Sequence, residues 1–203
     1  HYLPRHIHAL DPVIDKRRWS WQAKRSLVRF GSNFTSVKQA ARAVSHACQR
    51  QQEWEKSQLI QKDGLREDAV MLLGHRYLVE DSFFSGAVFR SFKKAGIPLV
   101  MAHQLPEAIL REFARKLQKR MFWTSGRQSL GALEYGADQI AGVVTLAAFA
   151  CGTDSLVSDL IQRRARKAGV PYLMLYLDEH TGAAGTITRL EAFIDMLQRR
   201  QTS

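Results

Sequence analysis

Cysteine is scarce in this chain. There are two in 203 residues, Cys48 and Cys151, which is too few for a disulfide framework and makes a cytoplasmic location the default expectation. Long apolar runs are missing as well. The longest useful one, residues 140–151, is broken by Gly142 and Thr145 and falls short of the roughly 20 residues that span a bilayer. The opening "HYLPRHIHALDP" has no signal-peptide pattern, and the lack of an initiating methionine leads to the expectation of a segment excised from a longer polypeptide. No Walker A loop and no GxGxxG occurs, so nothing points to nucleotide binding. Acidic residues are rare at the N-terminal end. Residues 1–50 hold ten Lys/Arg against Asp11 and Asp15, whereas the remaining 153 hold twenty against seventeen. The formal charge of +11 therefore belongs mainly to an N-terminal arm. Such an arm suits an acidic partner, an anionic membrane or nucleic acid. No nucleic-acid motif accompanies the charge, so a solvated or partner-facing helix surface is the preferred reading, with neither nucleic acid nor membrane expected as a partner.

A hydrophobic fraction of 45% is enough for a packed α/β domain. The rhythm divides the chain into a basic, mostly helical arm, residues 1–66, and an α/β domain, residues 67–203. Helices are expected at 19–30 and 36–61, the second capped by Thr35 or Ser36, with Val37, Ala41, Val44 and Cys48 on one face. Short apolar runs then alternate with amphipathic helices. Strands are expected at 69–74, 97–101, 142–150 and 171–177, and helices at 85–96, 106–118, 126–138, 153–168 and 184–199. Gly96 and Gly169 act as helix stops. The glycines of "SLGALEYGA" predict close helix packing. Near-continuous apolar strands with helical crossovers predict a four-stranded parallel sheet in the order 2-1-3-4, covered on both faces. Ligands of such sheets sit beyond the carboxyl ends of the strands, at the switch between strands one and three.

Three segments meet at that rim: "GHRYLVEDSFFSG" (74–86), "CGTDS" (151–155) and "DEHTGAAGTITR" (178–189). Cys151 stands just before a helix N-terminus, whose partial charge favours a thiolate. It reads as packing filler, as a nucleophile or as one ligand of a metal cluster. Thr153 or Asp154 is placed to cap the amides there. His75 and Arg76 suit a phosphate or carboxylate, and Tyr77 suits stacking on a ligand; the alternative is exposed loop packing. Asp178, Glu179 and His180 are consecutive, so a regular strand cannot aim all three at one point. With Arg189 they make either an anion- or metal-facing cluster or a cap on the sheet edge.

The rim segments also resemble a known family as a set. "VMLLGHRYLVEDSFFSGAVFRSFKKAGIPLV" resembles the GxPYxxxDxxxNxxxxxxLxxxGV stretch of an uncharacterised domain family related to 2-hydroxyglutaryl-CoA dehydratase components. "FWTSGRQSLGALEYGA" is similar to its WxxGxxxLxAAxY segment. "LAAFACGTDS" and the run from "GVPYLMLYLDEHTGAAGTITRLEAFIDML" resemble its FxCGPDS and DEHTxxAGxxTRxEAF signature. The likeness covers residues 68–198. It implies a Rossmann-like or flavodoxin-like domain, one of a pair, whose cysteines hold a [4Fe-4S]-type cluster in a cleft where low-potential electrons reach an acyl-CoA. It further implies that Cys151 is a cluster ligand, that Asp154 and Ser155 shape its loop, and that residues 178–189 flank the cleft. The implied partners are a further N-terminal domain or second subunit, an ATP-dependent activator domain and an acyl-CoA. The departures are Thr153 and Arg76, each where the family has proline, and the lack of a second rim cysteine. A cubane needs about four ligands, so no complete cluster is expected in this chain. The alternative is a non-catalytic module that binds acyl-CoA or docks the activator.

Overall fold

The computed structural model describes residues 20–60, 65–117, 121–178 and 183–201. Two compact units divide between Ser57 and Gln58. In the first, α1 (Ser20–Gly31) and α2 (Val37–Ser57) form a helical hairpin. Ser36 starts α2 by accepting a bond from the Gln39 amide (3.3 Å), while Gln39 Oε1 accepts from the Ser36 amide (3.4 Å), a reciprocal cap. The inward face is rotated from the expected one. Ala40 is buried and Val44 and Cys48 are half-buried, whereas Val37 and Ala41 are exposed. The reason is steric. Gly31 sits so close to Ala40 that a Cβ on it would lie 3.1 Å from the Ala40 Cβ, and this pair of small residues sets where the helices touch.

The second unit carries β1 (Val70–Leu73), β2 (Leu99–Met101), β3 (Gly142–Ala148) and β4 (Tyr172–Leu177). All pairings are parallel, in the order β2-β1-β3-β4. The strand order and the parallel sense are those read from the sequence. Side-chain alternation splits the core in two. Val70, Leu72, Val144 and Leu146 pack against α4 (Ser82–Lys94) and α8 (Ala183–Gln201), which supply Val88, Phe92, Leu190 and Phe193. Met71, Leu73 and Val143 pack on the other side against α5 (Glu107–Ala114), α6 (Thr124–Gly136) and α7 (Gly152–Lys167) through Leu110, Leu130, Leu133 and Ile161. Each such buried side chain contributes about 1.5–3 kcal/mol of burial free energy. Gly96 (φ 72°) and Gly169 (φ 71°) end α4 and α7 in the left-handed conformation that glycine adopts without strain.

Several boundaries differ from the sequence reading, among them those after β1 and at the end of β3. The stretch after β1 contains a short helix, α3 (Arg76–Glu80), followed directly by α4. Asp81 separates them, its carboxylate accepting from the Phe83 amide at 2.8 Å as the N-cap of α4, so α4 begins three residues before the expected position. β3 stops at Ala148 instead of residue 150, because Ala150 takes φ 59° and the Cys151 amide turns back to the Ala148 carbonyl at 3.2 Å. Among the described residues, no helix is long and apolar enough to cross a membrane.

Candidate functional site

The carboxyl ends of β1 and β3 lie side by side, with β2 and β4 outside them. The chain runs from β1 outward to β2 and returns to β3 on the other flank, which opens a crevice between the first and third strands. Gly74 ends β1 with φ 150°, and a Cβ there would approach the Leu146 carbonyl oxygen to 2.5 Å. Only glycine lets the two strand ends come this close.

Four of the residues singled out by sequence gather beyond those ends. Cys151 is the N-cap residue of α7 and is half-buried, with its Sγ 3.1 Å from Thr153 Oγ1. Neither Thr153 nor Asp154 caps the helix as expected, for no side-chain cap bond is made. Asp154 instead reaches backwards. Its Oδ2 accepts from the Ala148 amide (3.1 Å) and its Oδ1 lies 2.9 Å from His75 Nε2. At 8% exposure this carboxylate ties the end of β3, the start of α7 and the end of β1 together. His75 stacks on Tyr77 with ring centroids 5.7 Å apart. Burial, and then the negative charges of Asp154 and Cys151, raise the Tyr77 phenol above its usual value, which sets both groups within electrostatic reach of that ring.

The other candidates do not join this cluster. Arg76 rides on α3 and pairs with Glu80 at 2.8 Å, as does His103. Ser155 donates to the Cys151 carbonyl within α7 (3.0 Å). Arg189 donates to the Met174 carbonyl of β4 at 2.6 Å. Pro171 and Leu177 direct their carbonyls to β3, so the alternate residue Met174 presents its own to the open border of the sheet. The arginine therefore caps the sheet edge, one of the two readings its sequence context allowed. Asp178 follows β4, and Glu179 and His180 lie outside the described residues.

Part of the site escaped the sequence reading. Trp123, Ser125 and Ser129 of the α6 segment and Thr145 of β3 line the crevice beside His75. The signal available was Thr145, the one polar side chain in the strand "GVVTLAA". Exposed aromatics stand nearby along the chain, with Phe83 at 84%, Phe122 at 78% and Phe149 at 66% exposure.

Cys151, a half-buried thiol at a helix N-terminus, has the chemistry of an iron–sulfur ligand. It is one ligand only. Among the described residues, no three His, Cys, Asp or Glu side chains lie close enough to hold a metal ion, so the described residues fit a single position of a cubane and not the set.

No curated protein matches the chain at a significant level. The family model described as 2-hydroxyglutaryl-CoA dehydratase, D-component, matches residues 102–197, a stretch that includes β3, α7, β4 and Cys151. Over those residues the chain is thus similar to the 2-hydroxyglutaryl-CoA dehydratase D-component.

Proposed function

We propose that this domain forms one wall of an iron–sulfur or acyl-CoA cleft in a 2-hydroxyacyl-CoA dehydratase-like protein. In this reading Cys151 supplies one thiolate to a [4Fe-4S]-type cluster, and a further domain or subunit supplies the rest. A bound cluster would deliver single electrons at low potential, received from an ATP-dependent activator. The observation that carries the reading is the position of Cys151, N-cap of α7 at the carboxyl end of β3, beside the crevice between β1 and β3. Asp154 and His75 hold the turn that presents it. The family match over residues 102–197 supports the association with dehydratase components. Anaerobic iron and sulfide analysis of the assembled holoprotein, beside its Cys151→Ala variant, tests the ligand role. Iron should fall in the variant, and unchanged iron and sulfide would dismiss it.

The exposed Phe83, Phe122 and Phe149 favour a second reading, an acyl-CoA-binding or activator-docking module without a cluster, since exposed apolar side chains of this size mark contact surfaces. Unchanged iron in Cys151→Ala together with measurable heat on titrating an acyl-CoA would select it.

A further inference from the structure

Among the described residues of the helical hairpin, Ala40 alone is buried. Small size explains many exposed positions there, but not which residues occupy the turn. Turns are ordinarily polar, and Ser32 and Asn33 follow that habit. Phe34 and Val37 do not, at 63% and 64% exposure. The turn is firmly held. The Ser32, Asn33 and Phe34 amides donate to the carbonyls of Val28, Phe30 and Gly31 at 2.9, 3.2 and 3.0 Å. The Phe34 ring meets Phe30 edge-on, with centroids 5.6 Å apart. Two apolar side chains are thus presented outward at the end of the hairpin, and such exposure marks a contact surface.

Cations flank them on both helices. Arg25 and Arg29 of α1 and Lys38 and Arg42 of α2 are all exposed, each pair one helical turn apart. No acidic residue occurs between Asp15 and Glu53, and Glu53 is taken by Arg50 at 3.8 Å. Charge decides the occupant. A second copy would set cation against cation. A nucleic-acid duplex supplies phosphates, but its stacked interior opens to an apolar side chain only at a cost. An anionic bilayer supplies both at once, phosphates at the level of the cations and hydrocarbon beneath them. Charge alone gave no reason to expect a membrane; Phe34 and Val37 set among those cations supply one. We infer that the hairpin turn docks on an anionic lipid surface, with Phe34 and Val37 entering the headgroup boundary and the four cations on headgroup phosphates. A contact of this kind requires no spanning helix.

The test is co-sedimentation of the full 203-residue chain with sucrose-loaded vesicles, of phosphatidylcholine alone and of an equimolar mixture with phosphatidylserine. The chain should bind the mixed vesicles and leave the neutral ones. Phe34→Ala keeps every charge and should bind about fivefold more weakly, through the apolar area it no longer buries. Its urea midpoint should match the parent's, and Phe34→Leu should bind like the parent. Val37→Ala repeats the test if the first variant fails to fold. Arg29→Gln with Lys38→Gln should weaken binding by about fivefold for each charge lost. The lack of binding to mixed vesicles would overturn the assignment, and so would binding that Phe34→Ala and Val37→Ala leave unchanged, since attraction by net charge alone involves no apolar tip. A DNA duplex or poly-glutamate bound more tightly than the vesicles through the same residues, or a dimer that Phe34→Ala dissociates, would give the turn to another occupant and overturn it equally.

Discussion

Asp154 shows how much a single side chain can decide. The sequence places it beside Cys151 and suggests a helix cap or a ligand contact. In the structure its two oxygens are taken up by the Ala148 amide and by His75. Replacing it by alanine leaves the part-buried Ala148 amide without its acceptor, a loss of about 1 kcal/mol. The turn between β3 and α7 also loses its tie to β1. Asp154→Ala should therefore unfold at lower urea concentration and should alkylate faster at Cys151 with iodoacetamide than the parent under native conditions. An unchanged alkylation rate would show that the carboxylate does not hold the thiol in place. None of this was legible in "CGTDS", because the partner amide precedes Asp154 by six residues and the partner imidazole lies across the sheet.

At the level of elements, periodicity and composition carried most of the information. The four apolar runs are strands because both faces of the sheet are covered, and "SLGALEYGA" is a close-packed helix. Gly131 explains the second point. A Cβ on it would meet the Leu110 carbonyl oxygen of α5 at 2.2 Å, a clash with backbone that no rotamer can relieve. Gly131→Ala should cost about 1–3 kcal/mol or more through forced separation of α5 and α6, read as a lower urea midpoint; a midpoint within error of the parent would contradict the packing described. What periodicity could not supply was α3. Five residues are too few to display a helical pattern, and Arg76–Glu80 holds its shape through an i,i+4 ion pair and through Leu78 and Val79 buried against the sheet. The inward face of α2 was misread for a related reason. Hydrophobicity favoured Val37, whereas closeness of approach favoured Ala40.

For the molecule as a whole, acid should loosen the fold in two stages. Burial, outweighing the Glu80 charge, lowers the His103 pKa below its usual 6.5. As pH falls through about 6.5, the unfolded chain takes up a proton that the folded chain refuses, so stability drops. The Arg76 hydrogen bond holds Glu80 below its usual 4.5. Its contribution is complete above that value and is lost as pH falls through the folded pKa. Melting temperatures from pH 8 to 3 should decline in both windows, and the first decline should shrink in His103→Gln. Equal slopes in the two proteins would remove His103 from the account. Neither group was marked as titrating by the sequence, since Glu80 meets His103 only because α3 stands over the turn that follows β2.

The Arg189 guanidinium on the Met174 carbonyl has a bearing on how this sheet can grow. A strand arriving at β4 from another polypeptide must use that oxygen as an acceptor, and it finds the position already claimed from within. Extension on that flank first requires the last helix to release its grip, which makes the fourth strand a closed frontier while the lip beyond β1 and β3 stays open for recognition.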